Sequence, residues 1–572
     1  MAKRIGKVRR SQLISTYGIG AIIPFEEGSV MVAGLEKWSS GHPDINEPRL
    51  SRKLGVRGFV RPPASENESA PDIPVVRFPT VYYCPGDCKR VSHIRYLAAQ
   101  NSNKCLNCNV KLIPSRFIVV CPNGHIDDFP YFEWVHKGQS QTEKQSHTLK
   151  LNAKGISASL RDIEISCSCG VQPRTMEGSF AYGALKNIKQ CRGRRPWIGD
   201  LEVCDQIPRT LQRGASNVYF PIVQSALSIP PWSEGAYKIL NSGWHILQHI
   251  PDLALNQTIA DMQLAKGTPY TIEQLVQAVI QRKKGEAFTG SLLDEEYVAL
   301  CKGHAETERT QDFVCEESPG FDEVADIFDR VMIVPKLKEV RALTGFTRLH
   351  PPISEKDEKI AKLSFNPPEW YPAIEVLGEG VFFKLSDEQL TEWEKNSKVV
   401  QRAERINQRY REKMAEYKQT PQRDITARFL LIHTLAHALI QQWSLDCGYP
   451  ASSLRERLYV SEPAHHSLMT GLLIYTATTD AAGSLGGVVA LADENRLRES
   501  VVNAILRASW CSADPLCVEA DAAGTDSLNL AACHACVLLP ETSCEQQNYF
   551  LDRAMMVGTP ENPEIGFFKD IL

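Results

Sequence analysis

The stretch YYCPGDCKRVSHIRYLAAQNSNKCLNC, Tyr82 to Cys108, decides the first question of fold. Cys84-x3-Cys88 is followed, after sixteen residues, by Cys105-x2-Cys108. Each close pair makes a knuckle presenting two sulfurs, and the loop between them folds back to join the knuckles, as a tetrahedral thiolate zinc site requires. A set of buried free thiols would not explain the pairing. Nearby, in VCPNGHIDDFPYF, Cys121 and His125 could form a spare pair. They are read instead as a core thiol and a loop hydrogen-bonder.

Downstream, Cys167-x-Cys169 is followed by single cysteines at 191 and 204, so Cys167, Cys169, Cys191 and Cys204 are read as a second, looser zinc site. Lys186, Lys189, Arg192, Arg194 and Arg195 surround it, with no acidic residue from 180 to 199 and Trp197 adjacent. Such a metal-stapled loop suits phosphate-backbone contact with optional base stacking. The plainer reading is a solvated charged loop. A third cluster runs CSADPLC, AACHAC, ETSCE. Cys533-x2-Cys536 is its knuckle, Cys544 a third ligand, and Cys517 the preferred fourth, with Cys511 possible in its place. From Trp510 through Asp552 there are seven acidic residues and no Lys or Arg, so this knuckle repels phosphate and braces a fold or meets a protein.

Seventeen cysteines in 572 residues would suggest disulfides in a secreted chain. At these short spacings, in a reducing compartment, they suggest metal. About three structural Zn2+ sites are expected on this count. The chain carries 64 Lys+Arg against 68 Asp+Glu, a formal charge of −4, and is 43% hydrophobic. Three four-thiolate sites would take that charge to about −10, so any nucleic-acid affinity must be local. Besides the second-cluster loop, the candidate strips are the first ten residues and a helical face carrying Arg402, Arg405, Arg409 and Lys413 at i, i+3, i+7 and i+11.

The length is that of about three or four domains. Composition divides it into a basic segment 1–61, a linker 62–74 (PPASENESAPDIP), a cysteine-rich double zinc region 75–205, a middle α/β region 206–360 and a zinc-binding region 361–572. The fold class expected is mixed α/β and multidomain, with zinc-knuckle or ribbon modules near the N-terminus and a zinc-binding α/β C-terminal domain. FLLIHTLAHALIQQW is apolar nearly all round and belongs at the centre of a core. Its apolar run is too short to span a bilayer, and MAKRIGKVRRSQ lacks a cleavage pattern, so no membrane partner and a cytoplasmic location are expected.

Catalytic signals are weak. Gly6-Lys7 is the only Gly-Lys dipeptide and sits in no GxxxxGK[ST] frame, so a P-loop motor is rejected and no catalytic residue is assigned. TYGIGAI is half a dinucleotide fingerprint and reads as a tight turn. His433 and His437, in HTLAH, stand at the i, i+4 separation of two imidazoles sharing a metal, but position 434 is Thr rather than a basic Glu. Buried, hydrogen-bonded histidines are the preferred reading, with Asp480 a helix cap. The enzyme alternative is a metal-dependent hydrolase or nuclease using His433, His437 and Asp480.

RSQLISTYGIGAI near the start, TGFTRLHPP at 344–352, IHTLAHALI with CGYPASSLRERLY behind it, IYTATTDAAGSLGG, and CSADPLC, AACHAC and ETSCEQQNYFLDR in order resemble the DrmB family of bacterial DISARM anti-phage systems. The likeness spans nearly the whole chain, and its C-terminal part resembles the MrfA-like zinc-binding domain otherwise attached to DNA-repair helicases. The resemblance implies antiviral defence by a non-motor subunit. Its implied partners are a separate DrmA-like helicase and foreign or phage DNA, which the subunit helps the helicase to bind or load.

Overall fold

The computed structural model describes residues 4–26, 28–38, 43–63, 72–100, 102–138, 147–153, 159–285, 291–306, 312–351, 359–416, 420–421, 423–461, 468–476 and 486–572. Most of the expected linker 62–74, together with Lys3 and Asp480, lies outside the described residues. Two compact units are present, each assembled from three stretches. The first takes Met1–Ile45, Gly55–Gln224 and Arg341–Ile374; the second takes Asn46–Leu54, Ser225–Val340 and Glu375–Leu572. This division by packing and the division by composition are different partitions of the chain. Three of the five boundaries fall inside the strands Phe220–Leu227, Phe328–Thr347 and Trp370–Leu385, where buried apolar residues continue without a break for composition to register.

The first unit is built mainly of small antiparallel ribbons. Val81–Tyr83 lies between Val91–His93 and Ile113–Pro114, Phe117–Val120 between Arg209–Gln212 and Ile126–Asp128, and Ile163–Cys167 between Leu149–Ala153 and Arg174–Thr175. Ribbons this short bury little, and the turns joining them carry the cysteines. One apolar cluster gathers Phe117, Phe129, Tyr131, Trp134 and Ile165, with the Arg174 guanidinium 3.4 Å from the Trp134 ring centre.

The second unit is built on longer elements. Residues 380–384 of Trp370–Leu385 pair antiparallel with Thr470–Thr476, which pairs along its length with Leu454–Val460. Ala427–Cys447 is the central helix. The Thr426 hydroxyl accepts the Phe429 N–H at 3.3 Å to start it, and Gly448, at φ +69°, ends it in a left-handed turn that a side chain would strain. Residues 429 to 440 of this helix are all buried, because strands, the helix Leu497–Ala508 and the helix Ser397–Glu416 pack around it. Each fully buried Leu, Ile or Phe there contributes about 1.5–3 kcal/mol. Ser397–Glu416 turns Val399, Ala403, Ile406, Tyr410 and Met414 inward on one stripe. The protein is thus mixed α/β, with ribbon modules early and an α/β C-terminal region. Among the described residues, no helix is long and apolar enough to cross a membrane.

Candidate metal centres

All seventeen cysteines are free thiols, and all except Cys301, Cys315 and Cys447 stand in one of five donor groups found among the described residues. Cys84, Cys88, Cys105 and Cys108 converge. Cys88 and Cys105 sulfurs are 3.7 Å apart, and the Cys88 N–H donates to Cys108 Sγ at 3.4 Å. Gly86 permits the close approach, since a Cβ there would stand 2.9 Å from Cys108 Cβ.

The expected second site divides in two. Cys191 and Cys204 stand with Cys121 and His125, whereas Cys167 and Cys169 stand with His136 and His147. This corrects the four-cysteine grouping and the reading of Cys121 as a core thiol and His125 as a loop hydrogen-bonder. His125 Nδ1 lies 3.4 Å from Cys121 Sγ and 3.7 Å from Cys191 Sγ, while its Nε2 faces Glu202 at 3.1 Å, an outer contact that orients the ring. In the other group His136 Nε2 is 3.4 Å from Cys169 Sγ, His147 Nδ1 is 3.3 Å from Cys167 Sγ, and His136 Nδ1 donates to the Phe132 carbonyl at 2.7 Å. Cys121-x3-His125 repeats the spacing of Cys84-x3-Cys88, a signal available in the sequence. His136 and His147 carry no such mark.

The C-terminal cluster also regroups. Cys511 and Cys517 both join Cys533 and Cys536, with sulfur separations of 3.5 Å (Cys511 to Cys533), 3.7 Å (Cys517 to Cys536) and 3.6 Å (Cys533 to Cys536). The choice between Cys511 and Cys517 is therefore no choice. Cys544 stands elsewhere, with His433, His437 and Glu456. Asp514 braces the thiolate knuckle by accepting the N–H groups of Cys511 and Val518 and the guanidinium of buried Arg553.

A zinc ion at about 2.3 Å from each sulfur spaces its donors about 3.8 Å apart along the edges of the tetrahedron. The sulfur separations observed here match. The thiols also behave as a set that a cation completes. Burial pushes Cys84 up to about 12; in Cys105 burial is outweighed by the N–H groups of Cys108 and Asn107, which draw it down to about 7. The neighbouring Cys121 thiol, with His125, draws Cys191 down to about 4, and Cys121 is raised in turn by Cys191 and by burial. Sulfurs this close cannot all carry charge without a cation among them. The donor groups suit structural zinc.

The basic strips are largely committed to carboxylates. Arg194 bonds Asp127 at 2.8 Å and Asp128 at 3.3 Å, Arg195 bonds Asp200 at 2.9 Å, and Lys189 bonds Glu133 at 2.8 Å. Arg192, its side chain 55% exposed, meets Asp127, and Lys186 is exposed. Trp197 is 0% exposed, its indole N–H donating to the Lys362 carbonyl, so it does not offer a stacking face. On the helical face, Arg402 makes a two-pronged contact with Asp552 at 2.6 and 3.0 Å. Arg409 donates to the Asp521 carbonyl, Lys413 pairs with Asp526 and Glu416, and Arg405 reaches Asp521 at 3.5 Å. The acidic segment 510–552 therefore meets the basic helix directly.

Residues 9–220 match a family described as a domain of unknown function, DUF8724, and residues 435–537 match the MrfA Zn-binding domain. A zinc-binding protein with an MrfA-type domain is the class that fold and donor groups define. The DISARM protein DrmB of Bacillus paralicheniformis is 30% identical to this chain over 579 residues, which cover 95% of this chain and 99% of that protein. The chain belongs to the DrmB family of DISARM proteins.

Proposed function

We propose that this protein is the non-motor subunit of a DISARM antiviral complex, associating with a DrmA-like helicase and helping it bind or load foreign DNA. The observation that carries the reading is the likeness to a DISARM protein along almost the full length of both chains. A sequence without a P-loop frame requires its motor to be another polypeptide. Zinc-braced ribbons supply the rigid docking surface such a subunit needs.

Of the nine cations expected to touch DNA, Lys186 and Arg192 in the first unit and Arg405 in the second are exposed; the pair of Arg405 with Asp521 is of the surface kind that is worth little, whereas Arg192 pairs with the largely buried Asp127. These three present their charge where a phosphate can meet it; Arg194, Arg195 and Arg402 hold the fold. The test is co-purification of the chain with its helicase, followed by salt titration of duplex binding by the assembled complex. Replacing Lys186, Arg192 and Arg405 together by Ala lowers the slope of log affinity against log salt by about 2–3, at about 0.9 for each phosphate that no longer meets a cation. An unchanged slope rejects these phosphate contacts, and failure to co-purify rejects the subunit reading.

A further inference from the structure

The group His433, His437, Glu456 and Cys544 differs from the others. Its donors come from the central helix, from the strand Leu454–Val460 and from a loop 111 residues beyond His433. His433, Cys544 and Phe550 lie outside the stretch that matches the MrfA Zn-binding domain. We propose that these four side chains hold a further divalent metal ion, closed to solvent, which ties the central helix to the sheet and to the C-terminal loop.

The two imidazoles are oriented for it. His433 Nδ1 donates to the Phe550 carbonyl at 3.2 Å and His437 Nδ1 to the Val537 carbonyl at 2.7 Å. Both Nε2 atoms then turn bare lone pairs inward, the tautomer and outer-shell arrangement of metal-ligating histidines. His433 Nε2 is 3.3 Å from Cys544 Sγ and 3.1 Å from Glu456 Oε1, and His437 Nε2 is 3.5 Å from Glu456 Oε2. With one donor atom from each residue, all four lie within 4.8 Å of one another, within reach of a single ion with bonds of about 2.0–2.3 Å to nitrogen, oxygen and sulfur.

As the side chains stand, two of these buried atoms are unpaired. His437 Nε2 and Glu456 Oε2 are buried with no hydrogen-bond partner. A proton shared between His433 Nε2 and Glu456 Oε1 leaves those two atoms unmet, and the two imidazole ring centres are only 4.6 Å apart. A divalent ion satisfies all four donors together. Two neutral imidazoles, one carboxylate and one thiolate carry two negative charges, so the loaded centre is neutral and fit for a dry interior. A mixed nitrogen, oxygen and sulfur set suits zinc among the common divalent ions rather than magnesium or calcium.

Burial sets the role. His433, His437 and Glu456 are 0% exposed and Cys544 4% exposed. Four protein donors fill the coordination and leave no position for an attacking water, so the ion is a staple and not a hydrolytic centre. The decisive measurement is anomalous scattering at the zinc edge from crystals of the full chain. A peak between the four donors is expected; peaks at the cysteine-rich groups with none here overturn the proposal. In solution, Glu456→Gln and Cys544→Ser each lose one metal equivalent relative to wild type with circular dichroism retained. A folded variant with the wild-type metal count overturns it as well, and should both variants unfold, the crystal measurement on the unaltered chain still decides.

Discussion

The two units use metal in opposite ways. In the first, three donor groups sit on or beside the turns between strands of two to five residues, and apolar clusters around Trp134 and around Tyr82 pack next to them. In the second, a 21-residue helix is enclosed by sheet and helices, and the donor groups are attached to a core that already exists. Where chain length between turns is too short to bury apolar area, metal supplies the folding free energy; where long elements bury it, metal adds local order.

Metal removal separates these cases most sharply. Complete chelation unfolds the ribbon region, because binding free energies of about 10–16 kcal/mol per structural zinc are folding free energy in such modules. Hydrogen exchange should show Phe117–Val120 and Ile163–Cys167 losing protection while Ala427–Cys447 keeps most of its own. Equal loss in both units would erase the contrast.

A smaller effect tests whether the second unit depends on charge as well as apolar packing. Asp552 is 0% exposed and accepts from Arg402 and from the N–H groups of Ala531 and Ala554. Arg402→Ala leaves that carboxylate without its countercharge, costing about 3–5 kcal/mol by urea denaturation. Gly86→Ala probes the first unit: the new Cβ presses on Cys108 and Val110, costs about 1–3 kcal/mol, and weakens zinc retention at the Cys84 group alone. The smallest change is Arg405→Ala, under about 1 kcal/mol, since its pair with Asp521 is solvent-exposed. A cost for Arg405 equal to that for Arg402 would mean that the whole helical face is structural.

Much of this was legible before the fold was known, and the exceptions share a cause. The Cys84 group is legible in full because both knuckles are local. Cys191 and Cys204 are single ligands that carry no spacing, so the sequence does not say that they stand with Cys121 and His125. The basic helix and the acidic segment were each recognised by composition, one as a phosphate contact and the other as a phosphate repeller. Their pairing across Arg402 and Asp552 was invisible, since 150 residues separate them.

The residues alone determined that thiolate knuckles would shape the chain, that one helix would be central, and that the family would be DISARM-related. Those features are written in short spacings, in apolar periodicity and in ordered motifs, all local in sequence. Tertiary structure decided the donor sets and the fate of the surface charge: how the cysteines sort into groups, how histidines and Glu456 complete them, and which arginines are withdrawn into ion pairs. Such choices depend on which distant segments pack together, and packing is settled by the shape of the assembled core, not by the order of residues along it.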